Sequence, residues 1–150
     1  MPTFETDALE GMTLDTLQSI DINATLEDAF DALVYRLSAG SSTPDNRPMP
    51  MVLEQWPGGR WFRDLGGDQG HLWGFVQVIK PPTLIEIQGP MFMSYPASGH
   101  IQFRLTEEAE GCELTIHHRA IGMIEEEHRQ GVVPGWKAVL EGVKARCEGS

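Results

Sequence analysis

The feature that most constrains the fold is a series of short apolar segments between residues 51 and 122, separated by turns rich in glycine and proline. Six such segments follow one another, and the turns between them include Pro57-Gly58-Gly59 and Pro81-Pro82. Strands that recur at intervals of roughly ten residues with such turns are typical of an antiparallel meander. A further strand is predicted over residues 12–22, where the apolar residues fall mostly on one parity. We therefore expect a curved antiparallel sheet of about six to seven strands.

An antiparallel sheet of this kind needs a cover for its apolar face, and the C-terminal sequence supplies one. Apolar side chains recur there with helical spacing, in the order Trp136, Val139, Leu140, Val143 and Cys147. We expect a long amphipathic helix around which the sheet wraps, with a cavity where the two surfaces do not mesh. The chain is therefore predicted to have an α+β fold.

Local signals set the expected ends of the helices. Pro134 suits the first turn of the C-terminal helix, and Gly131 is the expected break between that helix and a helical turn at residues 125–129. An earlier helix is predicted to follow Asn23 or Thr25, because either side chain can accept a hydrogen bond from the first helical turn. This helix should end before a loop rich in glycine, serine and proline.

Charge divides the chain into an acidic beginning and a nearly neutral remainder. There are 22 acidic and 11 basic residues, for a formal net charge of −11, and residues 1–35 contain eight acids but no lysine or arginine. We expect residues 1–11 to be a loose tail and residues 12–150 to be a single domain. The acidity excludes nucleic acid and anionic membranes as partners, because both are bound by clusters of lysine and arginine.

The sequence has no features of export or of membrane insertion. No segment approaches the ~20 apolar residues of a membrane helix, and the N-terminus lacks the basic and apolar parts of a signal peptide. Cys112 and Cys147 are expected to be free thiols, because a chain of 150 residues can form a core without a disulfide. The expected location is the cytoplasm, and the formation of a homodimer is left open.

Four segments, taken in order, resemble the helix-grip superfamily, which includes START domains and polyketide cyclases. They are IDINATLEDAFDAL (20–33), PGGRW (57–61), GFVQVIKPPTLIEI (74–87) and GWKAVLEGVK (135–144). Within that superfamily the chain is similar to bacterial stand-alone relatives of the C-terminal domain of heat-shock-90 ATPase activators. The resemblance implies a helix-grip fold with an internal pocket. It implies no particular catalytic residues, because the superfamily contains carriers, enzymes and protein-binding domains.

Residue types that suit an apolar pocket are concentrated in the predicted strands and in the C-terminal helix. Tryptophan and tyrosine combine a large apolar surface with one polar group, and methionine fills irregular space. Histidine and glutamate can orient a ligand within such a pocket. The predicted ligand-binding residues are Trp56, Trp61, His71, Trp73, Glu86, Met91, Met93, Tyr95, Phe103, His118 and Trp136.

The roles of two ionisable residues in this set depend on which strand face points inward. His118 shares its parity with Leu114, so we expect it on the inward face, either as a core histidine or as a polar anchor for the ligand. Glu86 has the opposite parity to Ile85 and Ile87. It is solvated if the isoleucines face inward, and it is a cavity carboxylate with a raised pKa if the register is reversed.

The sequence contains no motif of a nucleophilic, nucleotide-binding or zinc site, such as G-x-S-x-G, the P-loop or H-E-x-x-H. His117 and His118 are adjacent on a predicted strand and point to opposite faces, so they cannot share a metal ion. Glu125 and His128 have the spacing of half a di-iron site, but the sequence holds one copy of it. Neither a metal nor another cofactor is expected.

Three functions follow from these patterns, in order of preference. The first is binding of a small hydrophobic or aromatic ligand between the sheet and the C-terminal helix, oriented by His118, His71 or Glu86. The second is a cyclase- or aromatase-like enzyme that uses the same pocket, with His118 or Glu86 transferring protons. The third is a protein-interaction domain like the chaperone activators, placed last because the helix-grip domain takes up nearly the whole chain.

Overall fold

The computed structural model describes residues 11–149, which contain seven strands and two helices joined by loops. The strands are β1 (Thr13–Ile22), β2 (Val52–Leu53), β3 (Arg60–Gly66), β4 (Gln69–Lys80), β5 (Leu84–Gly89), β6 (Ala97–Glu107) and β7 (Cys112–Gly122). The helices are α1 (Leu26–Leu37), which follows β1, and α2 (Glu126–Glu148), which follows β7. Apart from Gly11, the acidic tail expected over residues 1–11 lies outside the described residues.

The strands form one antiparallel sheet in the spatial order β1-β7-β6-β5-β4-β3-β2. Consecutive strands from β2 to β7 are neighbours, as the meander prediction requires, and β4 ends at Lys80, directly before the two prolines. The first strand pairs with the last along its whole length, from Thr13 opposite Ile121 to Ile22 opposite Cys112. The curved antiparallel sheet and its C-terminal helix confirm the predicted α+β, helix-grip fold.

The short helix α1 begins at one of the two predicted caps. The Thr25 hydroxyl accepts a hydrogen bond from the Asp28 backbone N–H at 3.1 Å, which satisfies one free donor of the first turn. Two acidic residues in that turn, Glu27 and Asp28, face the positive end of the helix dipole. The helix buries one face, which includes Phe30 and Leu33, against the rest of the core.

The C-terminal helix α2 is continuous from Glu126 to Glu148, so the predicted break at Gly131 and the predicted place of Pro134 in the first turn are both wrong. A glycine costs about 1 kcal/mol in a helix interior and a proline about 3 kcal/mol. Burial of Val132, Trp136 and Val139 offsets these costs, because each fully buried apolar side chain contributes about 1.5–3 kcal/mol. In residues 11–149, no helix combines the length and the apolar content needed to cross a membrane.

The core lies between the inward face of the sheet and the two helices. On β5 and β6, the side chains of Ile85, Ile87, Ile101 and Phe103 are fully buried. On β7, the inward residues alternate with outward ones, as period-two patterning requires. This alternation fixes which side chains of each strand can reach the space beneath α2.

Candidate ligand-binding cavity

A cavity of about 460 Å³ lies beneath the N-terminal half of α2. The sheet contributes two tryptophans to its wall, and the end of α1 and the loop after it form the opposite side. The main apolar lining residues are Leu37, Met49, Trp61, Trp73, Phe92, Val132, Trp136 and Val139. This volume falls in the range of roughly 300–1,000 Å³ that is usual for small-molecule sites.

Edge-to-face aromatic contacts hold the walls of the cavity in place. The ring of Trp73 lies 5.1 Å from that of Trp61 and 5.9 Å from that of Phe92, both at steep angles. The contacts continue from Phe92 to His118 at 6.3 Å and from His118 to Trp136 at 5.6 Å. Each such aromatic pair contributes about 0.5–1.5 kcal/mol beyond the area it buries. The aromatic walls are therefore preformed.

Trp61 is positioned by a hydrogen bond to the end of α1. Its indole Nε1–H donates to the backbone carbonyl of Leu37 at 2.8 Å, and the side chain is only 2% exposed. The last carbonyls of a helix have no partner within the helix, so this bond satisfies a group that would otherwise be buried and unpaired. The bond also fixes the plane of the Trp61 ring against the cavity.

Phe92 reaches the cavity because the chain folds back over β4 after Gly89. The backbone N–H of Met91 donates to the carbonyl of Trp73 at 2.8 Å. A Cβ atom on Gly89 would lie 2.4 Å from that same carbonyl oxygen, so a side chain there would prevent the close approach. The fold-back places the Phe92 ring against the edge of Trp73.

Two glycines on α2, one helical turn apart, leave the cavity open. Gly131 and Gly135 both line it, and a Cβ atom built on either would have no other atom within 4 Å. The mouth lies between α2 and the loop after α1, where the lining residues Pro44, Glu127 and Gly131 are exposed. A side chain at Gly135 would therefore begin in open space at the lining of the cavity.

His118 lies on the inward face, as its parity predicts, but behind the cavity wall. It is fully buried, and its Nδ1 accepts a hydrogen bond from the indole Nε1–H of Trp136 at 3.1 Å. Burial, with a smaller contribution from His100, lowers the pKa of His118 to about 4. The imidazole is therefore neutral at pH 7, and its Nε2 has no hydrogen-bond partner among residues 11–149.

A second histidine, which the prediction left out, lies in the cavity wall itself. The Nδ1 of His128 is 2.9 Å from the phenolic oxygen of Tyr95, and the two rings stack with their centroids 5.6 Å apart. The backbone N–H of Glu125 donates to the same phenolic oxygen at 3.2 Å, which leaves the phenolic proton free to point at His128. Tyr95 supports the wall from behind.

Glu86 does not face the cavity, so the reversed register considered for β5 is wrong. Ile85 and Ile87 are fully buried on the inward face, and Glu86 lies on the outer face of the sheet. There its carboxylate is 2.8 Å from Nε2 of His100. The register follows from burial, because it places two branched apolar side chains rather than a carboxylate in the core.

Trp56 and His71 also lie away from the cavity. The expected strand over residues 51–56 contains only Val52 and Leu53, and Trp56 follows in a turn with 56% of its surface exposed. This turn is held by Glu54, whose carboxylate accepts hydrogen bonds from Arg60. His71 is exposed near the start of β4, close to the hairpin with β3.

Three other predicted residues belong to the core and do not line the cavity. Met91 is 3% exposed, Met93 is 1% exposed and Phe103 is fully buried. Phe103 contacts the ring of Trp136 edge-on at 6.0 Å and so supports the wall from behind. Of the predicted ligand-binding residues, the cavity lining therefore contains Trp61, Trp73 and Trp136.

Several lining residues were not predicted, although the sequence carries a signal for some of them. Phe92 lies inside an apolar cluster that supplied three predicted residues. Gly131 and Gly135 have the four-residue spacing of one helix face, but this signal was hidden by the expected helix break. The polar lining residues Arg36 and Ser41 are brought to the site by tertiary structure.

One group of carboxylates in residues 11–149 has the spacing of a metal site, and it lies outside the cavity. Oxygen atoms of Asp21, Glu108 and Glu113 lie within 4.8 Å of one another. Burial and the hydrogen bond with Asp21 raise the pKa of Glu108. Two of the three residues are exposed, and clusters of this kind are common without a bound ion. The sequence predicted no metal site here.

Similar solved structures show the fold. The di-domain ARO/CYC StfQ from the steffimycin biosynthetic pathway has a TM-score of 0.67 and 14% identity, over 95% of this chain and 53% of StfQ. This chain thus spans about half the length of StfQ. An uncharacterised protein from Rhizobium leguminosarum has a TM-score of 0.70 and 12% identity, over 92% of this chain and 96% of the other.

A third structure, of a protein from Mesorhizobium loti, has a TM-score of 0.68 and 14% identity, over 91% of this chain and 98% of the other. No curated protein sequence matches the chain. The family model described as "Activator of Hsp90 ATPase homolog 1-like protein" matches residues 23–148. Because that match covers most of the sequence, the chain belongs to the family of proteins similar to activator of Hsp90 ATPase homolog 1, with a helix-grip, polyketide cyclase-like fold.

Proposed function

We propose that this protein binds a small hydrophobic or aromatic molecule in the cavity beneath α2. The observation that carries the proposal is a cavity of about 460 Å³ whose lining includes Trp61, Trp73, Phe92 and Trp136. An apolar ligand transferred from water into such a space gains about 0.8 kcal/mol for each buried methylene group. The flat indole and phenyl rings suit an aromatic or unsaturated ligand.

The rigidity of the walls supports the same proposal. Trp61 is fixed by its bond to Leu37, and Trp73 and Phe92 are fixed by edge-to-face contacts. A preformed site loses little conformational entropy when a ligand binds, so more of the gain from burial remains as affinity. Binding should therefore need no large rearrangement of the sheet.

We also propose, from its cysteines, that the protein works in a reducing compartment, with the cytoplasm as its location. Cys112 and Cys147 are both free thiols. Burial is the largest cause that raises the pKa of each thiol, so both are protonated and unreactive at neutral pH. Free, unreactive thiols are what a reducing compartment maintains.

A second candidate function is a cyclase-like reaction in the same cavity, and the Tyr95–His128 pair favours it. His128 lines the cavity and shares a hydrogen bond with the Tyr95 phenol, an arrangement that can give or take a proton at a bound ligand. These two residues replace Glu86 and His118, which the sequence offered for that role. The two functions are distinguished by the mass of the recovered ligand, because a cyclisation that forms an aromatic ring typically releases water.

The test of binding is to fill the cavity from Gly135. In Gly135→Leu the new side chain occupies space that is empty in the wild type, whereas the matched control Gly135→Ala adds one methyl group. Both substitutions should stabilise α2 by about 0.5–1 kcal/mol relative to glycine, so neither should unfold the protein. The probes are two uncharged alcohols, decanol and 1-naphthalenemethanol. Their binding is measured by tryptophan fluorescence and by titration calorimetry.

We expect saturable binding of at least one probe to the wild type and to Gly135→Ala, and at least tenfold weaker binding to Gly135→Leu. If the wild type binds neither these alcohols nor the corresponding acids, decanoate and 1-naphthoate, or if the leucine variant binds as tightly as the alanine variant, the proposed site is wrong. Thermal unfolding of all three proteins shows whether the fold is intact.

A further inference from the structure

We propose that the ligand of this cavity carries a carboxylate, and that Arg36 binds it. This inference rests on the proposed function, because it assumes that the cavity holds a ligand. Arg36 lies in the last turn of α1 and lines the cavity. It is half-buried, and no carboxylate, carbonyl or aromatic ring in residues 11–149 pairs with its guanidinium group.

An unpaired guanidinium in such a place is costly in the free protein. The group has five N–H donors and no acceptor, and it stays charged at any physiological pH. Burial lowers the pKa of Arg36, which shows that the surroundings disfavour the charge. By contrast, Arg60 pairs with Glu54 and Arg47 pairs with Asp45. An anionic ligand would supply the missing partner.

Gly142 of α2 leaves room for the Arg36 side chain. A Cβ atom built on Gly142 would be 3.1 Å from Nε of Arg36 and 3.3 Å from its Cδ, so the side chain lies directly across this glycine. Ala138 and Val139, one turn earlier on the same helix, line the cavity. The Arg36 side chain thus crosses α2 next to the apolar part of the wall and itself lines the cavity, where it can meet the polar end of a ligand.

A hydroxyl group on the same side of the cavity can assist. Ser41 follows α1 by four residues, lines the cavity and is only 7% exposed. Its side-chain hydroxyl makes no hydrogen bond within residues 11–149, so it is free to donate to a ligand oxygen. The other charged or titratable lining groups are Glu127, which is exposed at the mouth, and His128, which is bonded to Tyr95.

A carboxylate fits this arrangement better than a phosphate does. Guanidinium and carboxylate groups form two parallel hydrogen bonds and cancel one charge each. A phosphate would bring up to two negative charges to one arginine, inside a chain whose formal net charge is already −11. The ligand class is therefore an apolar organic acid, either aliphatic or aromatic, with its carboxylate at Arg36 and its apolar part among the tryptophans.

The test compares ligand pairs that differ only in the acid group. Decanoate is compared with decanol, and 1-naphthoate with 1-naphthalenemethanol, by titration calorimetry at pH 7.5. The variant is Arg36→Met, which keeps an unbranched side chain but removes the charge. The control is Arg47→Met, at an arginine that lies in the loop after α1, is paired with Asp45 and does not line the cavity.

We expect wild-type protein to prefer each acid over its alcohol. Arg36→Met should weaken acid binding by about 10- to 100-fold, as expected for loss of a hydrogen bond to a charged group, and should leave alcohol binding unchanged. Arg47→Met should behave as wild type does. Equal binding of acid and alcohol by the wild type would overturn this inference but leave the proposed function intact.

Two other outcomes are also decisive. If Arg36→Met loses affinity for acids and alcohols alike, Arg36 shapes the cavity and does not bind an anion, so the inference is wrong. If the wild type binds none of the four probes, the proposed function fails and the inference fails with it. Thermal unfolding of Arg36→Met confirms that the protein compared is folded.

Discussion

Acidification from pH 7 to pH 4 should destabilise this protein through a single buried histidine. His118 is fully buried, and its Nδ1 lone pair is occupied by the indole N–H of Trp136. A proton can be added to the neutral ring only at Nδ1, because Nε2 carries the proton already. Protonation in the folded state would therefore place a charge in the core and break the bond to Trp136.

The size of the effect follows from the two pKa values. Burial lowers the pKa of His118 from 6.5 to about 4 in the folded protein, whereas the unfolded chain keeps the ordinary value. Between these values the unfolded state binds more protons, so the free energy of unfolding falls as the pH falls through this window. Each pKa unit corresponds to about 1.4 kcal/mol, which gives a loss of about 3 kcal/mol by pH 4. Well below pH 4, where His118 is protonated in both states, this contribution is constant.

The assay is urea unfolding at pH 7, 6, 5 and 4 for the wild type and for His118→Asn. The asparagine carbonyl oxygen can replace Nδ1 as the acceptor for Trp136, and the amide does not titrate. The variant should be less stable than the wild type at pH 7, because its smaller side chain leaves space in the core. Its stability should nevertheless fall by about 3 kcal/mol less than that of the wild type between pH 7 and pH 4.

The comparison of slopes isolates His118, because every other titrating group is present in both proteins. Parallel stability curves for the wild type and His118→Asn would refute the reasoning, since they would mean that His118 titrates alike in the folded and unfolded states. A native-state NMR titration of the His118 ring gives an independent check. Its midpoint should lie near pH 4, well below the ordinary histidine value of 6.5.

Two further predictions concern single hydrogen bonds. Trp61→Phe should lower the free energy of unfolding by about 1–3 kcal/mol more than the control Trp73→Phe does, because it leaves the buried Leu37 carbonyl without its donor. Urea unfolding measures both losses. Equal losses in the two variants would show that the hydrogen bond contributes nothing to stability. Thr25→Ala should lower the free energy of unfolding by about 1 kcal/mol through loss of the α1 cap. Thr25→Ser, which keeps the hydroxyl, should lower it by only a few tenths of a kcal/mol. An alanine variant as stable as the serine variant in urea unfolding would contradict the capping role.

The sheet could be predicted from the sequence because its signals are local. Strand alternation and turn residues lie within about ten residues of one another, so each strand carries its own evidence. Thr25 and the stripe that begins at Trp136 are local signals of the same kind, and both were confirmed. The shortened β2 is the exception, because the pairing of Glu54 with Arg60 favours a turn where the apolar pattern favoured a strand.

The cavity was predicted only in part, because its position depends on contacts between distant segments. Trp61 contacts Leu37 across 24 residues of sequence, and the Arg36 side chain lies across Gly142 of another helix. Strand parity placed His118 correctly, but it left two registers for Glu86 until burial of the neighbouring isoleucines decided between them. No local pattern distinguishes Trp56, which is exposed, from Trp61, which is buried.

The helix break wrongly predicted at Gly131 has the same cause as the cavity. Gly131, Pro134 and Gly135 are poor residues for a helix interior, at about 1 kcal/mol for each glycine and about 3 kcal/mol for the proline. They fall in the half of α2 that borders the cavity, and both glycines leave space where alanine would add a methyl group and favour the helix. The C-terminal half of α2 holds one glycine before its end, Gly142, and that glycine accommodates Arg36. The residues of α2 that disfavour a helix therefore lie next to the cavity and next to Arg36. This is the pattern expected where a binding or catalytic site is formed at the expense of stability.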